Sequence, residues 1–157
     1  MNFLVIGSGA REHIIGEKLS ETGASVYSVL TNSNPGLISL SREILSVDSF
    51  ASNKTQITDF ALQNKIDCVV IGPEDPLANG FSDMFQKKNI SVVGPLKVLA
   101  QIETSKGFTR DLLSKYDIDC SPQYKRFTSM NGVTDFINLL SQNYVIKFDG
   151  LMGGKGV

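Results

Sequence analysis

The sequence predicts a doubly wound α/β layer built on a parallel sheet, followed by the start of a second unit. Three observations predict it. Short β-branched runs alternate with segments of helical periodicity as far as residue 95. The run Cys68-Val69-Val70-Ile71 is continuously apolar, as befits a strand covered on both faces. Glycine-bearing breaks (GSGARE, GPEDP, GPL) follow the first, fourth and fifth apolar runs, placing all three on the carboxyl edge of the sheet, where such folds hold ligands.

The elements follow in order. Residues 2–6 form a short apolar run stopped by Gly7, a first strand; residues 11–21 carry Ile14, Ile15 and Leu19 at helical spacing, with Gly23 as the stop. Residues 25–30 read as a second strand, TNSNPG as a loop on the same carboxyl edge, and residues 44–47 as a weak third strand. A helix over 54–65 presents Ile57, Phe60 and Ala61, and the apolar fourth strand follows at 68–71. Leu77, Phe81, Met84 and Phe85 make one helical stripe, in a helix expected to begin at Pro76 with Asp75 as its cap. Residues 91–93 close the set.

From Leu96 the texture changes. Helices are expected over 97–103 and 105–116, a strand over 123–127, a helix marked by Met130, Val133, Phe136, Ile137 and Leu140, and a strand over 144–148 that leads into the glycine-rich end. The predicted division is 1–103 and 104–157. A second unit of that size is marginal for an independent core, so it reads as incomplete.

Composition narrows the function. The formal net charge is −1, with Lys plus Arg at 15 and Asp plus Glu at 16, which supplies no field for nucleic acid or an acidic membrane. The two cysteines, Cys68 and Cys120, have no CxxC spacing, which argues against a zinc site or a disulfide framework. No apolar run approaches the ~20 residues of a membrane span, and the N-terminus lacks the pattern of a signal peptide. A soluble, cytoplasmic protein is the expectation.

The motifs point to phosphorylated ligands. Gly7 and Gly9 permit a tight turn, and the N-terminus of the helix beyond them favours an anion by ~0.3–1 kcal/mol per charge at an exposed site. Arg11 can fork onto phosphate or carboxylate. Glu12 either complements the helix dipole or meets the ligand. His13 is the only histidine, which leaves a catalytic triad or a histidine metal site nothing to build on. A dinucleotide fingerprint requires glycine where Glu12 stands and an acid at the end of the second strand, which reads Leu30-Thr31-Asn32. Glu74, held between prolines, suits a polyol such as ribose. Lys106 opens a helix, Lys147 lies inside the last predicted strand where a lysine is costly unless an anion meets it, and Lys155 is wrapped by Gly153, Gly154 and Gly156 like a lid over phosphates. That loop is not a P-loop, since Gly156 stands where Ser or Thr is required.

The ordered set VIGSGAREH, NPG, VVIGPEDPLANG, GP, TSKGFTRDLL and YVIKFDGLMGGKGV resembles the glycinamide ribonucleotide synthetase (phosphoribosylamine–glycine ligase) family of ATP-grasp enzymes, over essentially the whole chain. The resemblance implies a Rossmann-like pre-ATP-grasp domain followed by a truncated start of the ATP-grasp domain. It implies an ATP-dependent ligase of purine biosynthesis that joins glycine to 5-phosphoribosylamine through glycyl phosphate. It places Gly9, Arg11, Glu12, His13, Pro35, Gly36 and Glu74 at the phosphoribosyl substrate. It places Lys106, Lys147, Gly153, Gly154, Lys155 and Gly156 at ATP. ATP with magnesium or manganese is the implied cofactor set, with the metal ligands and adenine site expected beyond Val157. No catalytic or metal-binding residue is identifiable in this stretch, and the chain alone is expected to be inactive. Small molecules are the implied partners, and a monomer is favoured. Two other readings remain: an NAD-binding oxidoreductase domain, and a non-catalytic nucleotide-binding module.

Overall fold

A computed structural model describes residues 1–140, 143–153 and 155–157. The chain divides into two compact units, Met1–Ala100 and Gln101–Val157.

The first unit is a five-stranded sheet, entirely parallel, in the order β3-β2-β1-β4-β5. The strands are β1 (Asn2–Ile6), β2 (Ser25–Leu30), β3 (Ile44–Ser46), β4 (Cys68–Ile71) and β5 (Ser91–Val93). Helices α1 (Ala10–Glu21), α2 (Pro35–Leu40), α3 (Lys54–Gln63), α4 (Glu74–Ala78) and α5 (Phe81–Gln86) alternate with them, and α6 (Lys97–Thr104) spans the boundary between units.

Period-two alternation divides the core between the two faces of the sheet. Leu4, Ile6, Tyr27, Val29, Val69 and Ile71 pack with Ile57, Phe60 and Ala61 of α3 and with Phe81 and Phe85 of α5. Val5, Val26 and Leu30 pack on the opposite side with Leu37 of α2, flanked by Ile15 and Leu19 of α1. Every residue of β4 is buried, as its unbroken apolar sequence requires. The chain builds outward from β1 to β3 and then returns to β4, so the topological switch point falls between β1 and β4. There Ile6 pairs with Ile71, and the strand ends release Gly7 and Gly72 side by side.

Three expectations need correction in this unit. TNSNPG is not all loop: Pro35 opens α2, with Asn34 as its cap. The stripe from Leu77 to Phe85 is two helices, because Gly80 takes φ 78° and breaks the run between them. Asp75 does not cap a helix starting at Pro76. The helix begins at Glu74 behind Pro73, and Asp75 Oδ1 accepts from the Asn79 amide at 3.1 Å.

The second unit holds α7 (Lys106–Lys115) and α8 (Val133–Leu139). Neither expected strand forms. Residues 123–127 and 144–148 carry no ladder partner among the described residues, and β-type sequence forms a strand only where a neighbouring strand takes up its backbone groups. Lys147 is consequently exposed, so the cost of burying it does not arise. Among the described residues of this unit only Gly107 and Gly156 are buried.

Candidate functional site

The site of the first unit grows from the β1–α1 turn. Gly7 adopts φ 130°, a conformation side chains rarely allow, and Gly9 caps α1. Glu12 stands three residues beyond Gly9 and reaches back, its Oε2 accepting the Gly9 amide at 2.7 Å. This is half of a capping box, with the carboxylate supplying the acceptor that a glycine cap lacks. The Gly9 amide is therefore already engaged, and the anion-binding role expected of that turn does not include it.

Glu12 is 4% exposed. Its side chain fills the notch between the ends of β1 and β4. A Cβ on Gly7 would come to 2.6 Å from Glu12 Cγ and 2.8 Å from Pro73 Cδ, and one on Gly9 to 2.7 Å from Glu12 Oε2. A Cβ on Gly72 would overlap the same carboxylate. Three glycines thus shape one cavity around one carboxyl group.

Arg11 lies above. Its Nε donates to Glu12 Oε1 at 3.3 Å and its Nη2 sits 3.6 Å from Glu74 Oε1. The side chain remains 62% exposed. The hydrogen bond to Glu12, the charge of Glu12 and the charge of Glu74 hold the guanidinium pKa above its ordinary value. Arg11 and Glu74, 63 residues apart in sequence, therefore meet across the switch point.

The β2–α2 loop completes this edge. The Asn34 side chain donates to the carbonyls of Ser8 at 3.1 Å and Gly9 at 3.2 Å, while its Oδ1 accepts the Leu37 amide at 3.1 Å. Ser8 Oγ accepts the amides of Thr31 at 2.9 Å and Asn32 at 3.2 Å. His13 packs directly on Gly36, where any Cβ would collide with the imidazole. Gly9, Arg11, Glu12, His13, Pro35, Gly36 and Glu74 all lie on the carboxyl edge of the sheet, in or directly after the loops that follow β1, β2 and β4.

The second unit has its own polar cluster. Asp149 sits at the N-terminus of α7, its Oδ1 accepting the amides of Gly107 at 3.2 Å and Gly150 at 2.9 Å and its Oδ2 the Ser105 hydroxyl at 3.1 Å. Burial pushes the Asp149 carboxyl up, but these bonds and the Lys106 amide outweigh it and leave the group below its ordinary value. Arg126 joins Asp149 at 3.3 Å to Asp111 at 2.8 Å and lies over Gly107, which accounts for glycine inside a helix. Lys106 Nζ donates to the Gly150 carbonyl at 2.7 Å. The loop then turns through Gly150 (φ 93°) and Gly153 (φ 53°) and closes where Phe148 N meets Gly156 O at 2.9 Å. Lys147 and Lys155 are exposed. Gly154 lies outside the described residues.

Ser8, Asn34, Gly72, Arg126 and Asp149 were not singled out from sequence. Glycine next to Pro73 after an apolar strand, and Asn before Pro-Gly, were the available signals for Gly72 and Asn34. Nothing local marks Arg126 or Asp149, because their partners are distant in the chain. No cluster of three or more His, Cys, Asp or Glu able to hold a metal occurs among the described residues. No described helix is long and apolar enough to cross a membrane.

Comparison with known proteins fits this layout. Residues 1–103 match the N domain of phosphoribosylglycinamide synthetase, and residues 104–157 match its ATP-grasp (A) domain. A phosphoribosylamine–glycine ligase of Methanosphaera stadtmanae is 43% identical over 157 residues, covering 100% of this chain and 35% of the relative. The solved phosphoribosylamine–glycine ligase of Thermotoga maritima superimposes with TM-score 0.70 at 25% identity, over 99% of this chain and 35% of that one. An N5-carboxyaminoimidazole ribonucleotide synthetase, solved as its ADP complex, shares the fold with TM-score 0.77 at 16% identity, over 99% of this chain and 39% of that one. The chain thus spans about a third of the length of the relatives it matches and belongs to the phosphoribosylglycinamide synthetase family.

Proposed function

We propose that this chain contributes the phosphoribosyl-binding layer and the first ATP-contacting segment of a ligase that joins glycine to 5-phosphoribosylamine. The balanced reaction gives glycinamide ribonucleotide, ADP and phosphate. The glycine carboxylate takes the γ-phosphoryl group of ATP, the amine of phosphoribosylamine attacks the resulting acyl carbon, and phosphate leaves. The contribution of the chain's own residues is positioning and charge stabilisation.

The observation that carries the reading is the meeting of Arg11 and Glu74 across the switch point, at 3.6 Å, in a chain matched along its length by one family. Glu74 accepts ribose hydroxyls, Arg11 supplies a cation to the same ligand, and His13, Pro35, Gly36 and Gly9 form the wall. In the second unit Lys106, Lys147, Lys155, Gly153, Gly154 and Gly156 serve the nucleotide phosphates. Lys106 reaches them by exchanging the Gly150 carbonyl for a phosphate oxygen. ATP with magnesium or manganese is the proposed cofactor set, and the described residues supply no cluster of three or more His, Cys, Asp or Glu to hold the ion. We assign the protein to the cytoplasm, acting on small molecules as a monomer and without nucleic acid.

Titration calorimetry with the full chain tests the reading. Heat of binding with ribose 5-phosphate and none with NAD is expected. Tight binding of NAD without ribose 5-phosphate would revive the oxidoreductase reading, for which Asn32 supplies no acid.

A further inference from the structure

We infer that Glu12 is a positioning residue: its buried carboxylate holds Arg11 so that the guanidinium faces the crevice between β1 and β4 opposite Glu74. The inference rests on the ligand site proposed above and changes the role of Glu12 within it from contact to support.

The geometry leaves Glu12 little access to a ligand. Its side chain is 5% exposed. One oxygen is bound to the Gly9 amide at 2.7 Å and the other to Arg11 Nε at 3.3 Å. A Cβ on Gly7 or Gly72 would run into the Cγ and Cδ of Glu12, while one on Gly9 would meet only its movable Oε2. Arg11, by contrast, is 62% exposed. A guanidinium presents its donors in a rigid planar fork, so fixing Nε also fixes the plane in which the two terminal nitrogens lie. With Nε on Glu12 and Nη2 beside Glu74, the outer face of the fork is oriented before any ligand arrives. Preorganisation of this kind removes an ordering cost from binding. The Gly9 bond adds a second consequence: the same carboxylate fixes the turn from which α1, and hence Arg11, departs.

Nuclear magnetic resonance on the full chain tests this. In the free protein the Arg11 Nε–H should exchange slowly with water. In Glu12→Gln, which keeps the volume but not the charge, it should exchange about tenfold faster, the loss expected for a charge-assisted bond. The amides of β1 and β4 should keep their rates, which a general loosening of the fold would not allow. An unprotected Nε–H in the wild type, or equal rates in the two proteins, overturns the inference. On adding ribose 5-phosphate, the Arg11 Nε and Glu74 carboxyl signals should move while the Glu12 carboxyl signal stays. A Glu12 shift as large as that of Glu74 makes it a ligand contact and also overturns the inference. If no signal moves, the phosphoribosyl reading fails, and the positioning role is decided by the exchange rates alone. The two wild-type measurements decide the matter even if the variant does not fold.

Discussion

The Glu12 carboxyl group occupies the space that a β-carbon on Gly72 would need. Gly72 has no left-handed backbone to maintain, so its requirement for glycine is purely one of room. Gly72→Ala should destabilise the first unit by about 1–3 kcal/mol, the usual cost of overpacking a closed site. The cost should shrink in a Glu12→Ala background, where the obstacle is gone. Urea midpoints of the four proteins measure this coupling, and simple additivity would contradict it.

Asn34 does two jobs at once, capping α2 and tying down the carbonyls of Ser8 and Gly9. Asn34→Ala should cost about 1 kcal/mol from the cap alone. Asn34→Asp keeps the cap acceptor but sets a carboxylate against two carbonyls. It should therefore fail to restore stability or ribose 5-phosphate affinity. Recovery of both by Asp would reduce Asn34 to an ordinary cap.

Asp149 ties the glycine loop to the start of α7. Asp149→Ala should leave the amides of Gly107 and Gly150 without their acceptor and speed hydrogen exchange across 148–156, with β1 and β4 unchanged. Ser105→Ala removes both the Phe108 cap bond and the bond to Asp149. It should lower the stability of α7 by about 0.5–2 kcal/mol, read from helical ellipticity on heating.

Acid should loosen the second unit. Asp111 is held below its ordinary value by the Tyr124 hydroxyl and then Arg126, and Asp149 is held low by the bonds described above. A carboxyl lowered on folding stabilises above its unfolded pKa, and that contribution is lost as pH falls through the folded value. Stability should therefore be level near neutrality and fall below about pH 4, with Asp111→Asn flattening the fall. Tyr124 is raised, chiefly by its bond to Asp111. Its contribution holds below the unfolded tyrosine value and disappears as pH rises through the folded one. Denaturant midpoints across pH give both limbs.

Much of the first unit was legible because its central strands are short, largely apolar runs: Phe3 to Ile6 in β1 and all of β4 are unbroken, and β2 is interrupted only by Ser28 after its opening Ser25. The α2 helix was missed because Asn-Pro-Gly serves turns and helix starts equally well, and only Leu37 packing on Val5 and Val26 decides between them. The aromatic-bounded stretches at 123–127 (QYKRF) and 144–148 (YVIKF) misled because a strand exists only through its partner. At the site, the rim was visible as glycine breaks, yet the role of Glu12 was not. Glycine at the cap with glutamate three residues on signalled the turn bond, but the burial of that carboxylate depends on Gly72, brought alongside by the β1–β4 pairing.

The most direct measurement is amide shift mapping of the full chain with ribose 5-phosphate. The shifted signals should gather at residues 7–13, 34–36 and 72–75, in or directly after the three loops that leave β1, β2 and β4. Shifts confined to other surfaces, or none at saturating ligand, would contradict the phosphoribosyl reading.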